Sequence, residues 1–407
     1  MKAVILTQYF PPEMGAAQNR IHSLAKAFHK RGHHITVLTA LPNYPTGKIF
    51  DDYRNHYKYK ENIDGVEVIR SWLYVHRSRN ALSSALSYLS FALTAYDVGS
   101  REIASANLLL WEYPPPFLGH TAGKLAKRWN AGLVTNIADL WTHALEEQKV
   151  LKSRYILEKI SAFEKSIMQK SMAVTGQTEG VLSDIKARLP ESDPILWPNG
   201  ADPDLFRPMT PSSQMQTRYD VRGKFVVGYS GLHGRNHNLK LLLDAARILQ
   251  PENDIVFTLC GDGFEKQKLI TYAMQNGLSN VHFHDPIPHS RLPELLSLFD
   301  VGVVIHRDLP GLKVVRSAKL FELMSMQIPI LHCPVSEGAE IVRKADAGLV
   351  VEEEDPRKIA DTIISMRNSA KLAEWGKNGR KHVIENFDRN EISLELVQKL
   401  EKLVGQA

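Results

Sequence analysis

Two cysteines among 407 residues leave little room for disulfide chemistry. Cys260 and Cys333 both sit beside apolar, strand-like runs, which reads as buried reduced thiols in a cytoplasmic protein. The 16 histidines fall into no Cys/His spacing of a zinc site, and no metal is expected. A long hydrophobic run is also missing. The opening apolar stretch, 3–7, is followed at once by Gln8-Tyr9-Phe10-Pro11-Pro12, so it is too short for a signal peptide and lacks a small-residue cleavage site. Residues 80–96 carry no charge, but they fall short of the roughly 20 apolar residues that span a bilayer and include four serines. A transmembrane helix is excluded there. Charge of one sign is scarce: 50 Lys and Arg against 45 Asp and Glu give +5. That mild excess does not indicate nucleic acid. A phosphate-bearing substrate or an anionic membrane surface fits it equally well.

What is present is an alternation of strand and helix patterns through both halves of a chain too long for one ordinary core. In the first half the apolar runs 2–7, 35–39, 66–70, 107–111, 133–136 and 172–175 read as strands. Residues 19–30 form an amphipathic helix with Ile21, Leu24, Ala25 and Phe28 on one face, stopped by Gly32. Further helices are expected over 116–129 and 152–169. The stretch 202–219 is rich in Pro, Ser, Thr and Met without periodicity, and marks the interdomain boundary. A second series follows, with strands at 225–229, 255–260, 281–284, 301–305, 328–332 and 348–351. Helices lie between them at 240–250, 265–276, 293–299, 318–326 and 356–369. The expected organisation is an α/β chain of two Rossmann-like domains. These are 1–205, a linker at 206–219, 220–388, and a helix in 389–407 that returns to the first domain.

Residues 80–96 stand apart. Leu82, Leu86, Leu89 and Leu93 recur at helical spacing, and the upstream flank holds Arg70, Trp72, Tyr74, Arg77 and Arg79. Two readings stay open: a core helix with a solvated basic flank, or a surface that meets a membrane or a lipid-linked acceptor.

Several loops carry candidate chemistry. Gly15-Ala16-Ala17 opens the first helix, where small residues let a ligand approach backbone N–H groups and the dipole favours phosphate. That loop lacks G-x-G-x-x-G, which argues against a nicotinamide or flavin cofactor, and no cofactor is expected. Asp139 follows a buried strand, where open α/β sheets place ligands. It is a candidate catalytic group, able to hydrogen-bond a substrate hydroxyl or take part in proton transfer; a helix N-cap is its other reading. In the second half, Gly231 and Gly234 permit close backbone contact and Arg235 supplies charge for a diphosphate. Gly261-Asp262-Gly263 is either a structural turn or a nucleotide contact. Arg316, Ser317 and Lys319 meet at a helix N-terminus, a combination that makes an anion site.

The run Arg316-Ser317-Ala318-Lys319-Leu320-Phe321-Glu322-Leu323-Met324-Ser325-Met326-Gln327-Ile328-Pro329-Ile330 resembles the P-S-K-L-F-E-Y-M-A-x-G-x-P-V-I signature of glycosyltransferase family 4. The opening, Phe10 to Ala17 and Arg31 to Thr39, is similar to that family's N-terminus. Asp139-Leu140-Trp141 resembles the D-L-W-P of members that build bacterial surface polysaccharides. The resemblance implies a GT-B fold, two Rossmann-like domains facing each other across a cleft. It implies retaining, metal-independent hexosyl transfer from a UDP- or GDP-linked sugar to a saccharide or polyprenyl-diphosphate-linked acceptor. The donor phosphate itself would accept the acceptor's proton. By position, Glu322 matches the glutamate that receives the donor ribose hydroxyls, Lys319 a lysine near the phosphates, and Gly15 the acceptor-side glycine loop facing the diphosphate. Leu320 falls within the same donor-binding signature.

The departures are specific. The family's sugar-facing glutamate lies eight residues before its partner, and here that position is Val314. The usual Arg and Lys five apart become Arg235 with Lys240 already inside a helix, so Arg235, Arg316 and Lys319 together are assigned the diphosphate. Ala138-Asp139 stands where many members have a histidine, and Gln327-Ile328 replaces the small residue or glycine before Pro329. The favoured reading is a cytoplasmic glycosyltransferase of cell-surface polysaccharide biosynthesis, with the inner-membrane surface as a further partner. The alternatives are a sugar-nucleotide epimerase of the same fold and a two-lobed sugar-nucleotide-binding or regulatory protein without turnover.

Overall fold

A computed structural model of the chain describes residues 1–13, 15–44, 47–75, 81–140 and 153–406, with the backbone alone at 81 and 82. Of the positions singled out above, Met14, Arg77, Arg79, Trp141 and the start of the 152–169 helix lie outside the described residues, as does the side chain of Leu82. The chain divides into two compact units, Met1–Pro198 with Arg389–Ala407, and Asn199–Asp388.

The first unit is built on β1 (Lys2–Leu6), β2 (His34–Ala40), β3 (Lys58–Ile63), β4 (Val66–Ser71), β5 (Leu108–Tyr113), β6 (Gly132–Ile137), β7 (Ala173–Gly176) and β8 (Ile195–Leu196). They pair in the order β3-β4-β2-β1-β5-β6-β7-β8. β3 runs antiparallel to β4 and the other pairs are parallel. Its helices are α1 (Ala16–Lys30), α2 (Ala81–Glu102), α3 (Phe117–Trp129), α4 (Arg154–Met168) and α5 (Glu179–Arg188). Parallel strands are covered on both faces, so their sequences read as unbroken apolar runs. In β1, Ala3 and Ile5 pack with Ile21, Leu24 and Phe28 of α1 and with Leu396 and Leu400 of the last helix, Arg389–Gln406. Val4 and Leu6 point the other way, into a cluster with Phe91 and Val98 of α2 and Leu118 and Leu125 of α3.

In the second unit β9 (Phe225–Ser230), β10 (Ile255–Cys260), β11 (Val281–His284), β12 (Val301–Ile305), β13 (Ile330–Cys333) and β14 (Gly348–Val350) pair in the order β11-β10-β9-β12-β13-β14. All these pairs are parallel. The helices are α6 (Ser213–Arg218), α7 (Leu239–Ile248), α8 (Lys266–Gln275), α9 (Leu292–Leu296), α10 (Pro310–Lys313), α11 (Ala318–Ser325), α12 (Glu337–Ala345), α13 (Pro356–Arg367) and α14 (Leu372–Asn386). Chain order reverses between β9 and β12, and ligands of open α/β sheets collect outside the carboxyl ends of strands at such a switch. The loops after β9 and β12, with α11, meet there.

The stretch 202–219, read from composition as the interdomain boundary, lies inside the second unit. Phe206 is fully buried and α6 forms within it. Residues 81–96 of the 80–96 stretch lie in α2. Its inner face buries Phe91, Ala95 and Val98, while Leu86, Leu89, Leu93 and Tyr96 form an exposed stripe, Leu93 at 65 %. Among the described residues no helix is long and apolar enough to cross a membrane.

Candidate functional site

In the second unit two glycine loops interlock. Gly231, at φ 144°, donates its N–H to Cys260 O (3.0 Å), and His233 N–H reaches Asp262 O at 2.8 Å. A Cβ on Gly261 would fall 1.8 Å from the Gly231 carbonyl oxygen, so only glycine fits this crossing. A Cβ on Gly231 would lie 2.9 Å from Nζ of Lys319. The loop is bare where the ammonium arrives.

Lys319 stands in the first turn of α11, whose N-terminal N–H groups have no intrahelical partners. Its Nζ lies 3.9 Å above the Tyr229 ring, is buried, and has no hydrogen-bond partner in the protein. Burial pushes this lysine down to about 7, although Glu322 pulls it upward. Glu322 is one turn further along, also buried, and Nε2 of His289 lies 3.0 Å from its Oε1. A carboxylate only accepts, so the imidazole donates. The His289 ring is held edge-on to Phe206, with centroids 5.1 Å apart.

Around Tyr229 the other polar groups are basic as well. His233 is fully buried with neither ring nitrogen partnered, and burial pushes it down to about 4. His237 is pushed down to about 3 by burial and then by the Lys319 charge, with Nδ1 unpartnered. Burial also lowers His306, whose Nε2 has no partner. Buried polar atoms are normally satisfied. The Nδ1 of His306 donates to the Arg307 carbonyl, so its Nε2 is an acceptor, but the Lys319 ammonium and the one N–H of a neutral His233 ring leave an unmet demand for an acceptor. An anion meets it.

The remaining candidates take different places. Arg235 is exposed, with Nε 3.9 Å from Glu265 Oε1. Arg316 is held by Glu337 of α12, both its Nε and Nη2 lying 2.8 Å from one carboxylate oxygen. Leu320 is fully buried in the core beneath α11, so its side chain supports the helix and faces no ligand. Val314 ends α10. Among the described residues no group of three His, Cys, Asp or Glu is placed to hold a metal ion.

In the first unit Gly15 caps α1, and a Cβ there would meet the Gln18 side chain at 2.4 Å. Just before it, Glu13 is buried and ties two loops together: its carboxylate accepts from the backbone N–H of Phe10 (3.2 Å), Asn43 (2.8 Å) and Tyr44 (2.8 Å). Burial outweighs those bonds and pushes Glu13 up to about 7. Asp139 follows β6. It is open to solvent yet ringed by protein, and this crowding raises it to about 6, against the pull of Arg20. Solvent contact works against that rise. On the adjacent strand β5, Glu112 is buried and accepts from Nη2 of Arg20 at 2.8 Å and from Thr7 Oγ1 at 3.0 Å. Sequence patterning singled out none of Glu13, Arg20, Glu112, His237 or His289 as a site residue.

A family model described as glycosyl transferase 4-like domain matches residues 15–200, and one described as glycosyl transferases group 1 matches 224–369. The chain is 24% identical over 315 residues to the putative colanic acid biosynthesis glycosyl transferase WcaI of Escherichia coli K12, covering 75% of this chain and 77% of that one. Its fold is similar to sucrose-phosphate synthase from Thermosynechococcus elongatus (TM-score 0.77, 18% identity, 100% of each chain). It is also similar to Anabaena HepE in complex with UDP-glucose (TM-score 0.72, 15% identity, 99% of this chain and 100% of that one). Two Rossmann-like units, the glycine loops with the Lys319–Glu322 helix, and two family matches in tandem agree: the chain belongs to glycosyltransferase family 4 and has the GT-B fold.

Proposed function

We propose that this glycosyltransferase moves a hexose from a UDP- or GDP-linked donor to a hydroxyl of a saccharide or polyprenyl-diphosphate-linked acceptor. Transfer retains the anomeric configuration and needs no metal ion, and its product enters cell-surface polysaccharide. The observation that carries the reading is the buried, unpartnered Lys319 ammonium one helical turn from the Glu322 carboxylate. A diphosphate satisfies the first, and two neighbouring ribose hydroxyls satisfy the second. UDP-glucose bound to HepE favours UDP over GDP, and the likeness to WcaI supports a polysaccharide product.

In the reaction, the bond from C1 to the donor phosphate breaks with its electron pair left on the phosphate. The acceptor oxygen bonds C1, and its proton passes to that phosphate. Negative charge therefore grows on the leaving diphosphate, where preorganised cations and helix N–H groups act without reorganising. Lys319, the N-terminus of α11 and the close backbone at Gly231 supply this, with Arg235 and Arg316 adding positive charge on the donor side. Gly15 opens α1 in the acceptor-side unit, and Asp139 orients the acceptor by receiving a hydrogen bond from another of its hydroxyls.

The enzyme works at the cytoplasmic face of the membrane in this reading. Leu86, Leu89, Leu93 and Tyr96 of α2 offer the apolar contact. A shallow pocket lined by Lys48, Arg54, Trp72 and Tyr74 combines cations and aromatics suited to a sugar or phosphate headgroup. A thermal-shift panel of nucleotide sugars tests the donor class; a melting temperature unmoved by every UDP- and GDP-sugar would overturn it. Product NMR in EDTA tests the rest, since an inverted anomer or lost turnover would contradict retention without metal.

A further inference from the structure

Glu322 and His289 reach each other from distant parts of the second unit. Glu322 comes from α11, and His289 from a short 3-10 turn, His289–Arg291, between β11 and α9. Nε2 of the imidazole lies 3.0 Å from Oε1 of the carboxylate. The Glu322 side chain is 9% exposed and that of His289 23%. The ring is held from several sides. Pro286 and Pro288 stiffen the approach to it. Ile287 and Leu292 flank it in sequence and pack against the core cluster that contains Leu320 and Phe321 of α11. The ring itself sits edge-on to Phe206, with centroids 5.1 Å apart. Phe206 is fully buried, and its carbonyl accepts from Ser325 Oγ at 2.6 Å and Arg380 Nη1 at 3.0 Å. Ser325 ends α11, so the residue that steadies His289 is tied to the helix that carries Glu322.

The last side-chain torsion of a glutamate is broad, so its carboxylate plane turns unless something fixes it. Two neighbouring ribose hydroxyls can be met at once only when that plane is set in advance. A carboxylate has about four lone-pair sites, so accepting from an imidazole is compatible with accepting from hydroxyls. We propose that His289 is a positioning residue for donor recognition: it sets the plane of the Glu322 carboxylate and, through it, the preference for a ribose that carries both hydroxyls. This rests on the reading of Glu322 as the ribose acceptor. His289 itself touches no nucleotide.

Calorimetric titration of UDP and 2′,3′-dideoxy-UDP into the full chain reads that preference as a ratio of affinities. The wild type is expected to favour UDP by about tenfold or more, the scale of losing hydrogen bonds to a charged group. H289F keeps a ring against Phe206 but has no N–H to give. Its ratio is expected to fall by about threefold or more, the scale of freeing one side chain that binding must then order. H289Q, whose amide N–H can reach the same carboxylate, keeps most of the ratio. A purely structural role for His289 weakens both nucleotides alike, and that unchanged ratio overturns the proposal. If H289F shows no cooperative melt, H289A is read in the same way. In E322A the ratio should collapse, and adding H289F should leave it there; any further loss places His289 on the ribose and overturns its positioning role. The two failures are distinct. A wild-type ratio in E322A removes the reading of Glu322, whereas a wild-type ratio in H289F beside a collapsed one in E322A removes His289 alone. The corresponding GDP pair replaces UDP if UDP does not bind, and a wild type that binds neither overturns the reading and the proposal together.

Discussion

Nζ of Lys319 sits 3.9 Å over the ring of Tyr229, buried, with no acceptor atom in the protein to meet it. A cation in that position costs stability until an anion arrives. The free enzyme is therefore less stable than its packing allows, and the difference is returned when donor binds.

K319M should melt above the wild type in the absence of nucleotide, by an amount worth about 1–3 kcal/mol, the penalty of an unsatisfied buried polar group. The sign against pH follows from the lowered pKa, 10.5 falling to about 7. Between those values the unfolded chain binds the extra proton, so wild-type stability rises with pH across that window and K319M lacks this share of the rise. Denaturant melts at pH 6.5, 8 and 9.5 check it; parallel curves for the two proteins would contradict it.

G231A should lose donor affinity along with about 1–3 kcal/mol of stability, because φ 144° is foreign to alanine and the new methyl meets Nζ of Lys319. The two effects separate in a double-mutant cycle. Affinity losses in G231A and K319M should be clearly less than additive, since both act on one contact. Additive losses would place Gly231 elsewhere in the chemistry.

D139N should lower turnover at least tenfold while leaving nucleotide affinity within about twofold, a loss of the order of 1.4 kcal/mol in transition-state binding. The active form is the anion, and its pKa is raised to about 6. Wild-type kcat/KM should accordingly fall as pH drops through about 6, and this acid limb should vanish in D139N. A wild-type rate in the variant would return Asp139 to a helix-capping role.

L93E places a charge on the most exposed apolar residue of the α2 stripe. Its melting temperature should match the wild type, because surface changes fall within about 0.5 kcal/mol. Its flotation with anionic phospholipid vesicles should drop several-fold. Equal flotation of the two proteins would leave the stripe without a membrane role.

Much of the framework could be read from the chain. Runs such as Val226-Val227 and Ile255-Val256-Phe257 are apolar at consecutive positions because both faces of a parallel strand are covered. Lys319 and Glu322 are three apart, which puts them on one helix face before any fold is known. What stayed hidden depends on distant chain. His289 reaches Glu322 from the loop after β11, and no local spacing announces it. Arg20 looks like the polar side of an amphipathic helix until β5 brings Glu112 beneath it. β3 has no apolar run to announce it, because Lys58-Tyr59-Lys60-Glu61-Asn62 is polar and half exposed. Its hairpin did have a signal, since Asp64 and Gly65 both take positive φ, 52° and 83°. The 202–219 stretch resembles a linker in composition, yet the buried rings of Phe206 and Tyr219 anchor it to the second unit.

The most direct test is calorimetric titration of UDP- and GDP-sugars into the wild type, K319M and E322A. The account predicts saturable one-to-one binding by the wild type for at least one donor. Each variant should weaken it by about 1.5–3 kcal/mol, the range for hydrogen bonds to a charged group, or roughly 10- to 150-fold. Wild-type affinity in both variants would contradict it.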